Sequence, residues 1–177
     1  STKSVINSNL KTKNLKVRVQ LNFFSKDGKN FSSTACMPSA SNCKQKYNMD
    51  DVADTFKENG WSMMPMLSHD ISKTSVSTCD IDSYVNFVDW FVGRYKDDAN
   101  IKYIELINSP AAWWKGTTAQ LLDMNNKTYD RIKNKYPDIL IGTPGFEYEV
   151  DSGSTEKGVQ IIEYFLSKNN GAKFDFF

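Results

Sequence analysis

Apolar and polar residues alternate along residues 16–24. Val17, Val19, Leu21 and Phe23 point one way and Arg18, Gln20 and Asn22 the other, the two-residue period of a strand buried on one face. Residues 50–59 switch to a helical spacing, with Asp50 placed to cap the helix and Gly60 to end it, and residues 61–67 read as the next strand. Tyr84, Phe87, Val88 and Phe91 recur at intervals of three and four, which predicts a helix from Asp80 or Asp82 to about Tyr95 with that face buried. A strand follows at 101–107, a helix at 117–135 that stops before Pro137, and a strand at 139–142. Residues 154–167 read as a helix carrying Val159, Ile162, Phe165 and Leu166 inward, and a fifth strand starts at Phe174.

Short strands separated by helices imply an α/β chain with a parallel sheet and right-handed crossovers. Two architectures fit: an open doubly wound sheet, or part of a (β/α)8 TIM barrel. A strand covered by helices on both faces would be nearly all apolar, whereas the first strand alternates, so a barrel with polar groups in its lumen is favoured. Residues 103–109 repeat the alternation. Ile104, Leu106 and Asn108 share one face, and Tyr103, Glu105, Ile107 and Ser109 the other, so Glu105 can pair with Arg18 inside the lumen. A buried pair of that kind is more often structural than catalytic. Residues 1–14 look like the tail of a helix, and the last residues fall inside an apolar strand. The expectation is one incomplete TIM-barrel domain over residues 1–177, with about five parallel strands, completed by a further segment or another chain.

Composition narrows the partners. The 177 residues carry 22 Lys and Arg against 21 Asp and Glu, a net charge of +1. No field of that size concentrates a polyanion, so nucleic acid and anionic membrane are poor partners. No window reaches the roughly 18 apolar residues of a membrane helix, and no basic-then-apolar leader opens the sequence. The six residues between Cys36 and Cys43 are mostly polar and include Pro38, so they can loop and bring the two sulfurs within bonding distance, leaving Cys79 over; three free thiols are the plainer alternative. Two sequons, at Asn30 and Asn126, point the same weak way, toward an extracellular or cell-surface protein. One His and three scattered Cys do not have the spacing of metal ligands. No cofactor is implied, and with a single His, no Gly-x-Ser-x-Gly elbow and no Gly-rich phosphate loop, Ser-His-Asp hydrolases and nucleotide enzymes are disfavoured.

Residues 102–117 read Lys-Tyr-Ile-Glu-Leu-Ile-Asn-Ser-Pro-Ala-Ala-Trp-Trp-Lys-Gly-Thr, and after a helix residues 135–145 read Lys-Tyr-Pro-Asp-Ile-Leu-Ile-Gly-Thr-Pro-Gly. This stretch resembles the fourth and fifth strand regions of the retaining, clan A glycoside hydrolases, and Phe174-Asp-Phe-Phe is similar to their sixth strand, so the resemblance runs over strands two to six. It implies a carbohydrate-active barrel that, in its complete form, hydrolyses O-glycosidic bonds. By this resemblance Asn108 takes the place of the family's sugar-binding Asn. Ser109 takes the place of the acid/base glutamate in Asn-Glu-Pro.

That departure bears on the chemistry. Retaining hydrolysis needs two carboxyl groups roughly 5–5.5 Å apart. A serine hydroxyl cannot act as the general acid, a contribution of roughly 10²- to 10⁴-fold. The nucleophile of the resembled enzymes also belongs to a seventh strand, beyond the similarity. Sugar binding without cleavage is therefore expected, with Asn108, Trp113, Trp114, His69 and Asn22 lining the cleft. The two indoles would serve as platforms for a sugar ring, or else as core packing beneath the next helix. One of the two is expected to be exposed, since neighbouring residues face different ways. The alternative is a noncatalytic extracellular structural or interaction protein on the same scaffold.

Overall fold

The computed structural model describes residues 15–25, 31–36, 46–68, 81–114, 116–146, 154–167 and 169–177; for 20–25, 31–36, 46–47, 68, 112–113 and 154–157 it describes the backbone alone. Strand β1 (Lys16–Ser25) is followed by β2 (Phe31–Cys36) and β3 (Lys46–Asn48), then α1 (Met49–Asn59), β4 (Ser62–Ser68), α2 (Ile81–Tyr95) and β5 (Tyr103–Asn108). A short helix α3 (Pro110–Trp113), then α4 (Thr118–Lys135), β6 (Leu140–Gly145) and α5 (Ser154–Leu166) complete the order. The sheet runs β3-β2-β1-β4-β5-β6. Its four strands β1, β4, β5 and β6 are parallel, and β2 and β3 add antiparallel pairs at the β1 side.

The parallel strands stand side by side in chain order. There is no reversal of the kind that defines a doubly wound sheet. With right-handed crossovers, this order carries every connecting helix to the same face. On that face Met63, Leu67, Ile104, Leu106 and Ile141 meet Phe87, Val88, Phe91, Leu121, Ile132, Ile161 and Phe165 in one buried core. The architecture shown is α/β with a parallel four-stranded centre. Phe176 bridges Gly142 in parallel, so the expected fifth strand is present as a single bridge.

Local signals set the helix ends. Thr117 accepts from the Gln120 N–H while the Gln120 side chain accepts from the Thr117 N–H, a reciprocal cap at α4. Gly60 ends α1 in the left-handed region at φ 66°, where its N–H reaches the Lys57 carbonyl. The α1 cap is Asn48 rather than Asp50: the Asn48 carboxamide oxygen accepts from the Asp50 N–H at 3.1 Å, and Asp50 instead grips Arg94.

Two expectations about faces need correction. In α5 Phe165 is buried as expected and packs edge-on against Phe146, but the other buried positions are Gly158 and Ile161; Ile162 is half-buried, and Val159 and Leu166 are exposed. The second concerns β5. Pairing with β6 runs Glu105 to Gly142, Leu106 to Pro144 and Asn108 to Gly145. Thr143 is an extra residue on β6, and Ile107 is then an extra residue on β5. A bulge turns the residues after it to the other face. Asn108 therefore leaves the face of Ile104 and Leu106.

Candidate functional site

The sheet face away from the helices carries Arg18, Met64, Met66, Glu105 and Gly142, brought into line by the registers Arg18 to Met64, Met66 to Glu105 and Glu105 to Gly142. Arg18 and Glu105, 87 positions apart, form the expected pair. Arg18 Nε donates to Glu105 Oε1 at 2.9 Å and Oε2 at 3.0 Å, and Nη2 donates to Oε2 at 2.6 Å. The same Nη2 reaches Met66 Sδ at 3.1 Å. The pair is lopsided in exposure, 49% for the Arg18 side chain against 15% for Glu105. A planar fork facing a carboxylate fixes orientation as well as charge.

Asn108 joins this group through the bulge. A Cβ placed on Gly145 would lie 3.2 Å from Asn108 Oδ1, 3.5 Å from Arg18 Nη2 and 3.5 Å from Met66 Sδ. Those three groups thus surround the space that glycine leaves open. Next to it lies a cleft of about 250 Å³ lined by Arg18, Glu105, Thr143, Pro144, Gly145, Phe146, Phe176 and Phe177. Phe146 and Phe177 stack at 6.0 Å between ring centres, and Tyr103 meets Phe176 edge-on at 5.9 Å. The cleft is polar at one end and aromatic at the other.

The far wall is held by Asp175. Its carboxylate accepts from the Ile141 N–H at 2.9 Å, from the Tyr129 hydroxyl at 3.1 Å and from Lys133 Nζ at 3.1 Å. Burial pushes the Asp175 carboxyl up, but these three donors outweigh it and hold it below the ordinary carboxylate range. Gly142 leaves room for the Phe176 ring: a Cβ there would meet it at 2.5 Å.

The remaining sequence candidates scatter. Ser109 is 2% exposed, in the left-handed conformation at φ 48°, with its N–H donating to the Gly145 carbonyl at 2.8 Å. It does not line the cleft. Trp114 takes the packing role, 1% exposed, its indole N–H donating to the Thr117 carbonyl at 2.8 Å. The Asn22 backbone pairs with Ser68 and Cys36, and Trp113 closes α3; their side chains, with His69, Cys43 and Cys79, lie outside the described part of the chain. So does the proposed link between Cys36 and Cys43. The sequon at Asn126 is put to structural use: its amide donates to the Gly171 carbonyl and accepts from the Lys173 N–H, and the Thr128 hydroxyl is buried against the Met124 carbonyl.

Among the described residues no group of three His, Cys, Asp or Glu could hold a metal ion, and no helix is long and apolar enough to cross a membrane. Comparison of the chain with protein-family models, curated proteins and solved structures finds no match. The geometry must carry the functional reading. Sequence reasoning expects the pair of Arg18 and Glu105, but as a structural one, and names Asn108, which stands beside the cleft lining; it misses Gly145, Phe146, Phe176 and Phe177 as cleft residues. The available signal is Gly142 and Gly145 within one short strand, with aromatics at 146 and 176.

Proposed function

We propose that the chain binds carbohydrate on a (β/α)8-type scaffold resembling the clan A glycoside hydrolases, which in complete form hydrolyse O-glycosidic bonds, and that as written it binds without cleaving. The observation carrying this reading is the cleft itself. Arg18 and Glu105, with Asn108 beside them at Gly145, offer donors and acceptors for ring hydroxyls at one end, and Phe146, Phe176 and Phe177 offer flat apolar surface for the other side of a sugar ring. Parallel strands in chain order, with helices on one face and a polar cluster on the other, also suit a barrel wall whose lumen holds the site.

A second reading, a noncatalytic structural or interaction protein, draws on one observation. Ser109, the position matched to the acid/base residue, is buried away from the cleft. Both readings predict no turnover, and ligand binding separates them. Methyl glycosides and β-linked oligosaccharides would be titrated against the ¹⁵N-labelled protein. Saturable shifts at residues 105, 108, 143, 145, 146, 176 and 177, with dissociation constants of about 1 mM or tighter and lost in Phe146→Ala, are expected. Absence of shifts at about 10 mM of every sugar, or shifts confined to other residues, would overturn the carbohydrate reading.

A further inference from the structure

Tyr84 lies in the first turns of α2, on the helix side of the sheet, yet its hydroxyl reaches into the sheet itself. It donates to the Leu67 carbonyl at 2.8 Å and accepts from the Ile107 N–H at 3.1 Å, both buried. The direct pairing between β4 and β5 is at Met66 and Glu105. One step further toward the C-terminal ends, a donor on β5 and an acceptor on β4 are joined through the phenol oxygen instead of to each other.

Ile107 is also the residue that β5 inserts relative to β6. Its N–H faces β4, so the bulge needs a buried partner on that side; an orphaned backbone N–H in the core is strongly unfavourable. The Tyr84 hydroxyl is that partner. We propose that Tyr84 is a positioning residue for the cleft: by standing between Leu67 and Ile107 it holds the bulge open and thereby keeps Asn108 on the same face as Glu105 and Arg18. Without the oxygen two outcomes are available. Leu67 and Ile107 close on each other, which removes the bulge and returns Asn108 toward the face of Leu106. Otherwise both backbone groups lose their partner and the end of β5 loosens. Either way the carboxamide leaves its place beside Arg18 Nη2 and Gly145. The mechanism rests on the proposed cleft only for its consequence in binding; the positioning itself is independent of which ligand binds.

The test is Tyr84→Phe, which deletes one atom, set against Val92→Ala, a buried change two turns further along the same helix. In Tyr84→Phe the Ile107 amide should exchange with solvent at least about tenfold faster at native pH, and the Asn108 side-chain amide resonances should move. In Val92→Ala, which lowers stability at a position remote from the Tyr84 ring, both should stay near their wild-type values. If a glycoside binds the wild type, its affinity should fall about three- to tenfold in Tyr84→Phe and hold in Val92→Ala. A wild type that binds no sugar defeats the carbohydrate reading while the two amide readouts still judge Tyr84. Asn108 resonances unmoved by Tyr84→Phe, or moved equally by Val92→Ala, would overturn the proposal. A further readout needs no variant: the wild-type Tyr84 hydroxyl proton should exchange slowly and show a nuclear Overhauser contact to the Ile107 amide, and a hydroxyl proton in fast exchange would also overturn it.

Discussion

Replacing Arg18 by Met keeps most of the aliphatic stem and removes the fork that holds Glu105. The magnitude follows from the exposures. Exposed ion pairs contribute about 0–1 kcal/mol, while breaking a fully buried pair costs about 3–5 kcal/mol because one charge is left in a poor solvent. Glu105 is 15% exposed and Arg18 49%. The carboxylate is therefore mostly desolvated while the guanidinium is half hydrated, and the expected cost lies between the limits, about 2 kcal/mol. For a chain of 177 residues that is a fall in Tm of roughly 4–8 °C. Glu105→Gln keeps the shape and one acceptor, so its cost should be smaller, about 1 kcal/mol.

The decisive quantity is the coupling in a double-mutant cycle, measured by urea unfolding followed by circular dichroism. Once Glu105 is Gln, removing Arg18 no longer strands a charge. The double variant should then be more stable than the sum of the single losses predicts, by about 1–2 kcal/mol, with an unchanged urea slope. Raising the salt to about 1 M should trim this coupling but not abolish it, since ions screen a half-buried pair less than an exposed one. A coupling below about 0.3 kcal/mol would refute the reasoning, because the two side chains would then act as independent surface charges.

Asp175 gives a pH-dependent counterpart. Its folded pKa lies below the unfolded value of about 3.9, so its contribution is complete above about pH 4 and drains away as the pH falls through the lower folded value. The urea-midpoint advantage of wild type over Asp175→Asn at pH 6 should therefore shrink below pH 4, and an advantage unchanged at pH 3 would contradict it. Gly142→Ala should displace the Phe176 ring, since the new Cβ would sit 2.5 Å from it. The cost is about 1–3 kcal/mol, with faster exchange at the Asp175 and Thr143 amides, which bond across the bridge. Ser109→Gly should stabilise by up to about 1 kcal/mol, because φ 48° strains a residue with a Cβ. Ser109→Glu should instead destabilise by about 1–3 kcal/mol and release no phenol from aryl glycosides, since its carboxylate would enter a site 2% exposed; recovered hydrolysis would show that position 109 opens to substrate after all.

Much of the scaffold is legible in the residues because it depends on local chemistry. The reciprocal cap of Thr117 and Gln120 and the stop at Gly60 are short-range signals, and each ends its element in the structure within a residue of the expected place. The alternation in β1 carries further. It puts Arg18 on the face opposite Val17 and Val19, and with Glu105 on the matching face of β5 their meeting across 87 residues follows from strand periodicity alone. The hairpin strands β2 and β3 escape notice because Phe31–Cys36 and Lys46–Asn48 are short and largely polar, with too few positions to define a period. Asn108 falls on the wrong face for a different reason. A count of two along β5 holds only while the ladder is regular, and the irregularity at Ile107 is imposed from outside the strand by the Tyr84 hydroxyl.

This dependence explains why Asn108 and Ser109, adjacent in the chain, have such different surroundings. The bulge delivers Asn108 to the open face. The chain must then turn sharply into Pro110 at the start of α3, and it does so by placing Ser109 in the left-handed region with its N–H tied to Gly145. A conformation of that kind costs about 1 kcal/mol or more and persists where surrounding bonds hold it. Here one such bond ends at the glycine whose missing side chain leaves space for Asn108, Arg18 and Met66. Strain at 109 and the opening at 145 thus belong to a single device for presenting Asn108. If ligand chemistry occurs on this face, its polar groups are Arg18, Glu105 and Asn108, and the serine acts through the backbone it bends.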